Sequence, residues 1–181
     1  FLRPGPAYGG SCFPKDTRAI VNIASEFKTS LSIIKTVIKS NDNRKNLLID
    51  RIIDIMSNKV NKKIITFLGV TFKPNTDDMR EASCLKMIPL LIKKGAYIRY
   101  CDPSGIKKEF KKYKKVVFYK DISQACLKSD LVIIHTEWNE FKTINFKKIV
   151  KKNNFIIYDM RNIYSPAKMK KNNIKYFGIG R

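Results

Sequence analysis

Between residues 62 and 181, short apolar runs rich in β-branched residues alternate with segments of helical periodicity. Strands are predicted at 64–70, 97–101, 116–119, 131–135, 155–159 and 175–177. Helices are predicted at 77–94, where Pro89 should introduce a kink, at 122–128 and at 146–152. Runs that are apolar throughout are typical of parallel strands covered on both faces. The alternation therefore predicts an α/β fold with an open, mainly parallel sheet.

The first 60 residues follow a helical pattern instead. Residues 1–10 carry two prolines and three glycines, which predicts a loop. Helices are predicted over 14–27 and over 30–58, the second with an interruption near Ser40 and Asn41. A helix of that length commonly links domains or packs against a partner. We therefore predict two units, a helical one over 1–60 and an α/β one over 61–181.

The chain is strongly basic, with 37 lysines and arginines against 15 acidic residues and a net charge of +22. Such a charge is compatible with nucleic-acid binding or with anionic ligands such as nucleotide phosphates. It is also compatible with a compositional habit, because paired lysines recur along the whole chain and flank predicted elements. Neither a zinc-finger spacing nor a stacking-aromatic motif accompanies the lysines, so nucleic-acid binding is the least favoured of the three.

The four cysteines, Cys12, Cys84, Cys101 and Cys126, are widely spaced and form no CxxC pair. This spacing indicates neither a disulfide framework nor a metal site, and it fits a reducing cytoplasm. No apolar run reaches the ~20 residues of a membrane span. The single histidine, His135, lies in an apolar run, where a packed histidine is favoured over a catalytic base.

Basic residues follow two of the predicted strands, Lys73 after the first and Arg161 after the fifth. The carboxyl ends of parallel strands share one edge of a sheet, and ligands bind along that edge. Lys73 and Arg161 are therefore candidates for binding an anion, although in so basic a chain either could be an ordinary surface cation. No GxGxxG motif links a predicted strand to a helix, so a complete dinucleotide site is not evident.

Cys12 lies between two glycines and a predicted helix start, in the segment Gly-Gly-Ser-Cys-Phe-Pro-Lys-Asp at 9–16. Glycines allow close backbone approach to a ligand, and Pro14 suits the first turn of a helix. The positive end of the helix dipole and the nearby Lys15 both favour a thiolate, which is the nucleophilic form of cysteine. Asp16 is near enough to position water or a proton. The alternatives are an inert buried thiol and an ordinary charged first turn.

Three segments combine into a longer signature: Gly-Gly-Ser-Cys-Phe-Pro-Lys-Asp-Thr at 9–17, Asn-Arg-Lys at 43–45, and Gly-Val-Thr-Phe-Lys-Pro-Asn-Thr-Asp-Asp-Met-Arg-Glu-Ala at 69–82. Together they resemble the nucleotide-sugar dehydrogenases of the UDP-glucose/GDP-mannose dehydrogenase family, in order and over essentially the whole chain. The resemblance implies a long central dimer-forming helix, a Rossmann-like UDP-binding domain and NAD as cofactor. Among possible substrates, the motifs favour UDP-glucose over other nucleotide sugars.

The resemblance also implies roles for individual residues. Cys12 matches the nucleophile, which would form a thiohemiacetal and then a thioester, and Asp16 matches the aspartate that helps water hydrolyse that thioester. The implied substrate contacts are Phe1, Leu2, Arg3, Pro4, Gly5, Gly9, Phe72, Lys73 and Arg161. The implied cofactor contacts are Lys15 and Arg80, although Arg80 and Glu81 could instead form a solvated helix pair. Asp77 and Asp78 are predicted to cap the helix that follows them.

The chain departs from the family pattern in two ways. Ala7 and Tyr8 replace a more usual glycine and phenylalanine. Members usually carry an N-terminal NAD-binding domain with a glycine-rich fingerprint, and a lysine, an asparagine and a glutamate before the cysteine, whereas this chain begins eleven residues before Cys12. We therefore expect a C-terminal portion that is inactive alone and needs an NAD-binding domain on the same enzyme or on a separate chain. The other interpretation is a non-catalytic UDP-sugar-binding remnant.

Overall fold

A computed structural model of the chain describes residues 3–180. The helices are α1 (Cys12–Glu26), α2 (Ser32–Ile55), α3 (Cys84–Lys93), α4 (Ile122–Cys126), α5 (Phe146–Val150) and α6 (Pro166–Lys171). The strands are β1 (Ile64–Leu68), β2 (Tyr97–Cys101), β3 (Val116–Phe118), β4 (Leu131–Ile134), β5 (Ile156–Asp159) and β6 (Lys175–Gly178). Short 3-10 helices span Lys108–Phe110 and Asn139–Phe141.

The strands form one open sheet in the order β3-β2-β1-β4-β5-β6, and every pairing is parallel. The predicted α/β fold with a parallel sheet is confirmed. This is the strand order of the Rossmann fold, in which the chain reverses direction across the sheet between β1 and β4. A crevice therefore opens at the carboxyl ends of these central strands.

Side chains alternate between the two faces of the sheet, and each face is covered by helices. On one face, Ile65 and Phe67 of β1 join the apolar side chains of α2 and α3. On the other face, Leu68 joins side chains from α4, α5 and α6. Because both faces are buried, strands such as Leu131–Ile134 are apolar at every position.

Helix α2 connects the N-terminal region to the sheet. Its buried residues are Asn41, Lys45, Leu48, Ile49, Ile52 and Ile55, a spacing of three and four that places them on one stripe. The apolar half of this stripe packs against α3. Of its polar residues, Asn41 bonds to the N-terminal loop (residues 3–10), whereas Lys45 pairs with Glu81.

Two predicted helices differ from the observed ones. The interruption expected near Ser40 and Asn41 is wrong, because α2 is continuous and the Asn41 amide bonds to the backbone of Tyr8. The helix expected from residue 77 begins only at Cys84. Residues 69–83 form a loop instead, the β1–α3 loop, since Asp78 accepts a hydrogen bond from the Arg80 amide and Glu81 has a left-handed backbone (φ 56°).

Helix α6 was not predicted, although Pro166 at its start is a common helix-initiating signal. Within residues 3–180, the helices are too short or too polar for any of them to cross a membrane.

The buried Asp102, which follows β2, holds the start of the β1–α3 loop. It accepts hydrogen bonds from the amides of Val70 at 2.7 Å and Ser104 at 3.0 Å, and also from the Ser104 hydroxyl. Asp102→Ala would leave these donors unpaired, so we expect the free energy of unfolding to fall by about 3 kcal/mol in urea titrations. The matched change in the exposed Asp77, Asp77→Ala, should cost under about 0.5 kcal/mol. Equal losses would contradict this role for Asp102.

Candidate functional site

A cleft of about 580 Å³ lies between the N-terminal loop, α2 and the carboxyl edge of the sheet. Its lining carries four cations, three aromatic rings and one carboxylate. The lining residues are Arg3, Gly5, Ala7, Tyr8, Gly9, Phe13, Asn41, Arg44, Phe72, Lys73, Glu137 and Arg161. Phe72, Glu137 and Arg161 follow β1, β4 and β5, so the cleft occupies the crevice expected from the strand order.

Arg161 joins three segments beneath this cleft. Its Nε donates to the His135 carbonyl at 2.8 Å, and its NH2 donates to the Phe72 carbonyl at 2.9 Å. The Glu137 carboxylate lies 2.9 Å from Nε as an ion pair, and only 11% of the Arg161 side chain is exposed. Burial lowers the pKa of Arg161, while Glu137 and Asp159 oppose that effect. The predicted ligand cation therefore also holds the cleft together.

The NH1 group of Arg161 lies against the N-terminal loop. A Cβ on Gly5 would be 3.0 Å from this NH1, so the glycine allows a close approach between loop and cation.

Two residues of α2 fix the N-terminal loop through its backbone. Arg44 donates from Nε to the Pro6 carbonyl at 2.7 Å and from NH2 to the Gly5 carbonyl at 3.1 Å. Asn41 accepts from the Tyr8 amide at 2.9 Å and donates to the Tyr8 carbonyl at 3.2 Å. Sequence reasoning assigned no role to either residue. The available signals were their spacing, about one turn apart where the apolar stripe of α2 becomes polar, and, for Arg44, the signature segment 43–45.

Phe72 and Lys73 line the cleft from the β1–α3 loop. Lys73 is exposed, with its Nζ 5.5 Å from the centre of the Phe72 ring. The Thr136 hydroxyl donates to the Thr71 carbonyl at 2.6 Å, which fixes the backbone just before them. A Cβ on Gly10, whose φ is 91°, would be 2.8 Å from the Phe72 ring. The structure thus brings both predicted residues to the cleft and packs the glycine turn against one of them.

Cys12 is the first residue of α1, two positions earlier than the predicted helix start. Its flanking residues Gly9 and Phe13 line the cleft, and its Sγ lies 3.6 Å from the Ser11 hydroxyl oxygen. Of the four cysteines, all within the described residues, Cys12 alone is exposed.

The other three cysteines are buried. Burial raises the pKa of Cys101 to about 11 and that of Cys126 to about 12, and it also raises the pKa of Cys84. These three thiols are held in the unreactive protonated form.

Charged residues surround the start of α1. Lys15 forms a 2.9 Å ion pair with Asp16, and both side chains are well exposed. The guanidinium of Arg80 binds the Asp78 carboxylate at 2.9 Å. The pKa of Arg80 is raised, chiefly by its hydrogen bond to Asp78 and to a smaller extent by the negative charge that Cys12 can carry. The expectation that Asp77 and Asp78 cap α3 is wrong, because Asp78 binds Arg80 and Ser83 precedes the helix.

The remaining predicted contacts lie in the N-terminal loop. Arg3, Gly5 and Gly9 line the cleft, and Pro4 is exposed beside them. Phe1 and Leu2 lie outside the described residues.

His135 is packed beneath the cleft, as predicted, with 1% of its surface exposed. Its Nε2 lies 2.8 Å from the Ser83 hydroxyl oxygen, and its Nδ1 lies 3.1 Å from that of Thr136. Burial, with a smaller contribution from the charge of Arg161, lowers the pKa of His135 to about 3. The ring is therefore neutral at pH 7.

A parallel sheet in Rossmann order, with a cationic cleft at its carboxyl edge, is the architecture of nucleotide-binding α/β domains. The family model described as "UDP-glucose/GDP-mannose dehydrogenase family, UDP binding domain" matches residues 66–166, and the central-domain model of the same family matches residues 1–43. The chain belongs to the UDP-glucose/GDP-mannose dehydrogenase family.

Individual relatives agree with this assignment. A Rickettsia felis protein named UDP-glucose 6-dehydrogenase is 36% identical over 99% of this chain and 41% of its own length. The chain thus spans about two fifths of the curated relatives it matches. A solved UDP-glucose dehydrogenase from Pyrobaculum islandicum superposes with a TM-score of 0.79 at 26% identity, over 96% of this chain and 38% of that one. An NDP-N-acetyl-D-galactosaminuronic acid dehydrogenase from Methanosarcina mazei (TM-score 0.86, 23% identity, 99% and 40% coverage) shares the fold.

The buried His135 should make the protein sensitive to mild acid. The unfolded histidine takes up a proton near pH 6.5, whereas the folded one does so only near pH 3. The contribution of the neutral His135 to the free energy of unfolding is therefore fully present above about pH 6.5 and is lost as the pH falls toward 3. Between pH 7 and pH 5 we expect a loss of about 2 kcal/mol in urea titrations. His135→Gln, which does not titrate, should lack this loss.

The carboxyl groups with lowered pKa, such as Asp78 and Glu81, act below this window, because their ordinary values are 3.8 and 4.5. An equal acid loss in the wild type and in His135→Gln would show that His135 is not its source.

Proposed function

We propose that this chain provides the UDP-sugar site and the reactive thiol of an NAD-dependent UDP-glucose 6-dehydrogenase. That enzyme converts UDP-glucose, two NAD and water to UDP-glucuronate and two NADH. The observation that carries the proposal is an exposed thiol, Cys12, at a helix start whose neighbours Gly9 and Phe13 line a cationic cleft. Family membership and the relatives named UDP-glucose 6-dehydrogenase support this choice of substrate.

In this proposal the cleft binds the UDP-sugar. Arg3 and Lys73 bring positive charge to the diphosphate, and Arg161 offers its NH1 group beside Gly5. Phe72 supplies an aromatic face, and the backbone of Phe1 to Gly5 and of Gly9 wraps the nucleotide. Arg44 and Asn41 would hold that backbone in place, because their hydrogen bonds already fix Gly5, Pro6 and Tyr8.

Cys12 then acts on C6 of the sugar. Its thiolate adds to the aldehyde left by the first oxidation, forming a thiohemiacetal, and the second oxidation leaves a thioester on Sγ. Water hydrolyses the thioester with help from Asp16, which releases the carboxylate and restores the thiol. A thiolate suits both roles, because it is a strong nucleophile and a fair leaving group. The dipole of α1 favours negative charge on Sγ, which lies at its positive end.

NAD, when bound, supplies the hydride acceptor for both oxidations. Lys15 and Arg80 fit as contacts to its phosphates, because both are exposed cations whose charges interact with Cys12. A glycine-rich turn that could cradle a pyrophosphate is absent from residues 3–180, where β1 leads instead into the long β1–α3 loop. We therefore propose that a separate NAD-binding domain, on the same enzyme or another chain, completes the site.

The wider assignments belong to the same proposal. We place the enzyme in the cytoplasm, because the four cysteines are free. A homodimer would cover apolar side chains exposed on α1, just after it and on α2, among them Ile23, Phe27 and Ile33. The units 1–60 and 61–181 remain predictions. The alternatives are another nucleotide sugar of the same family as substrate, or a non-catalytic UDP-sugar-binding module.

Calorimetric titration with UDP-glucose tests the binding proposal. Lys73→Ala should weaken binding about 10-fold, because it removes a charge-assisted contact to phosphate. Cys12→Ala should leave the affinity nearly unchanged, since the thiol acts in chemistry and not in binding. Lys168→Ala, on exposed α6, controls for the loss of positive charge alone. No heat at millimolar UDP-glucose would reject the UDP-sugar site.

Absorbance at the NADH band tests the need for a second domain. Residues 1–181 alone, with UDP-glucose and NAD, should form no NADH. NADH formation that disappears in Cys12→Ala would refute this expectation and would place the complete activity in this chain.

A further inference from the structure

Glu81 connects the β1–α3 loop to the helices α1 and α2 through a pair of ionic hydrogen bonds. Its Oε1 accepts from Arg18 NH1 at 3.0 Å, and its Oε2 accepts from Lys45 Nζ at 3.0 Å. Arg18 lies on α1, six residues after Cys12, and Lys45 lies on the buried stripe of α2. One carboxylate of the β1–α3 loop therefore binds both N-terminal helices.

The backbone on either side of Glu81 carries the glycine turn before Cys12. The Gly10 amide donates to the Arg80 carbonyl at 2.8 Å. A Cβ on Gly9 would lie 2.7 Å from the Glu81 carbonyl oxygen, so only glycine fits at this contact. The turn and the carboxylate thus meet the same two residues, Arg80 and Glu81.

Helix α1 has few other attachments. Of its fifteen residues, all of them described, only Pro14 is buried. Apolar packing therefore contributes little to its position within this chain, and polar contacts must supply the rest. Glu81 also holds a left-handed backbone with a φ of 56°, a costly conformation for a residue with a long side chain. The two ionic hydrogen bonds of the carboxylate are contacts that can offset this cost.

We propose that Glu81 is a positioning residue, a carboxylate clamp that holds the start of α1, and with it the Cys12 thiol, at the edge of the UDP-sugar cleft. The catalytic use of that position rests on the proposed function. The clamp itself does not, because it is a property of the folded chain. Arg44 and Asn41 hold the N-terminal loop independently of Glu81, so the clamp should affect the thiol more than the binding of the nucleotide.

Hydrogen–deuterium exchange of the 181-residue chain tests the clamp without any substrate. In Glu81→Gln, which keeps the shape and removes the charge, peptides covering residues 8–17 should exchange about 10-fold faster. Peptides of β4 and β5 should be unchanged. Arg18→Gln changes an exposed residue and should produce the same effect, so it provides the test if Glu81→Gln folds poorly. Glu26→Gln, an exposed change on the same helix, is the matched control. Unchanged exchange at 8–17, or an increase throughout the sheet, would overturn the positioning role.

Alkylation of Cys12, followed by mass spectrometry, adds a readout that simple loss of stability would not produce. In the wild type, bound UDP-glucose should slow alkylation by iodoacetamide. In Glu81→Gln this protection should disappear although the affinity for UDP-glucose changes by less than about 3-fold. Retained protection, or a loss of affinity as large as that of Lys73→Ala, would overturn the proposal. Failure of the wild type to bind UDP-glucose would reject the proposed function instead, and the exchange experiment would still decide the clamp.

Discussion

The guanidinium of Arg161 joins the end of β5 to the two neighbouring segments that form the cleft. A buried guanidinium must place its donors on acceptors, because desolvating the charge is costly unless it is hydrogen-bonded and paired. Here the acceptors are two backbone carbonyls, of His135 and Phe72, and the paired charge is Glu137. One planar group therefore links the segments that follow β1, β4 and β5. Arg161 therefore brings positive charge to the cleft and also holds together the segments that form it.

Acidic residues are scarce in this chain, yet several of them gather around the site. Glu137 pairs with Arg161, Asp78 with Arg80, and Glu81 with Arg18 and Lys45. Each carboxylate holds at least one cation in place, and two of these cations, Arg161 and Lys45, are themselves largely buried. Lys73 lines the same cleft and is exposed, and its Nζ lies over the Phe72 ring. The local arrangement thus separates cations that build the site from exposed cations of the cleft, such as Lys73 and Arg3, a distinction that the net charge of the chain cannot make.

The sheet could be predicted from the sequence because its signal is local. A strand such as Leu131–Ile134 is apolar at each position, since both faces of the sheet are covered, and this pattern is visible in four consecutive residues. Lys73, Arg161 and Cys12 could be placed for a similar reason, since each sits next to a strand end or a glycine turn. The start of α3 could not be placed, because Asp78 and Glu81 act through a turn and a left-handed backbone that compete with the helix.

Asn41 and Arg44 show the limit of such reasoning. Their partners are backbone groups of Tyr8, Gly5 and Pro6, which lie 33 to 39 residues away and carry no side-chain signal. Glu81 likewise has a distant partner, the side chain of Arg18, which is 63 residues away. Contacts of this kind depend on the fold bringing distant backbone together, so they become visible only in three dimensions. Asn41 and Arg44 hold the loop before Cys12, and Glu81 attaches α1, in which only Pro14 is buried. The immediate neighbours of Cys12 indicated a reactive thiol, whereas the signature segments around Arg44 and Glu81 could not show which groups those side chains bind.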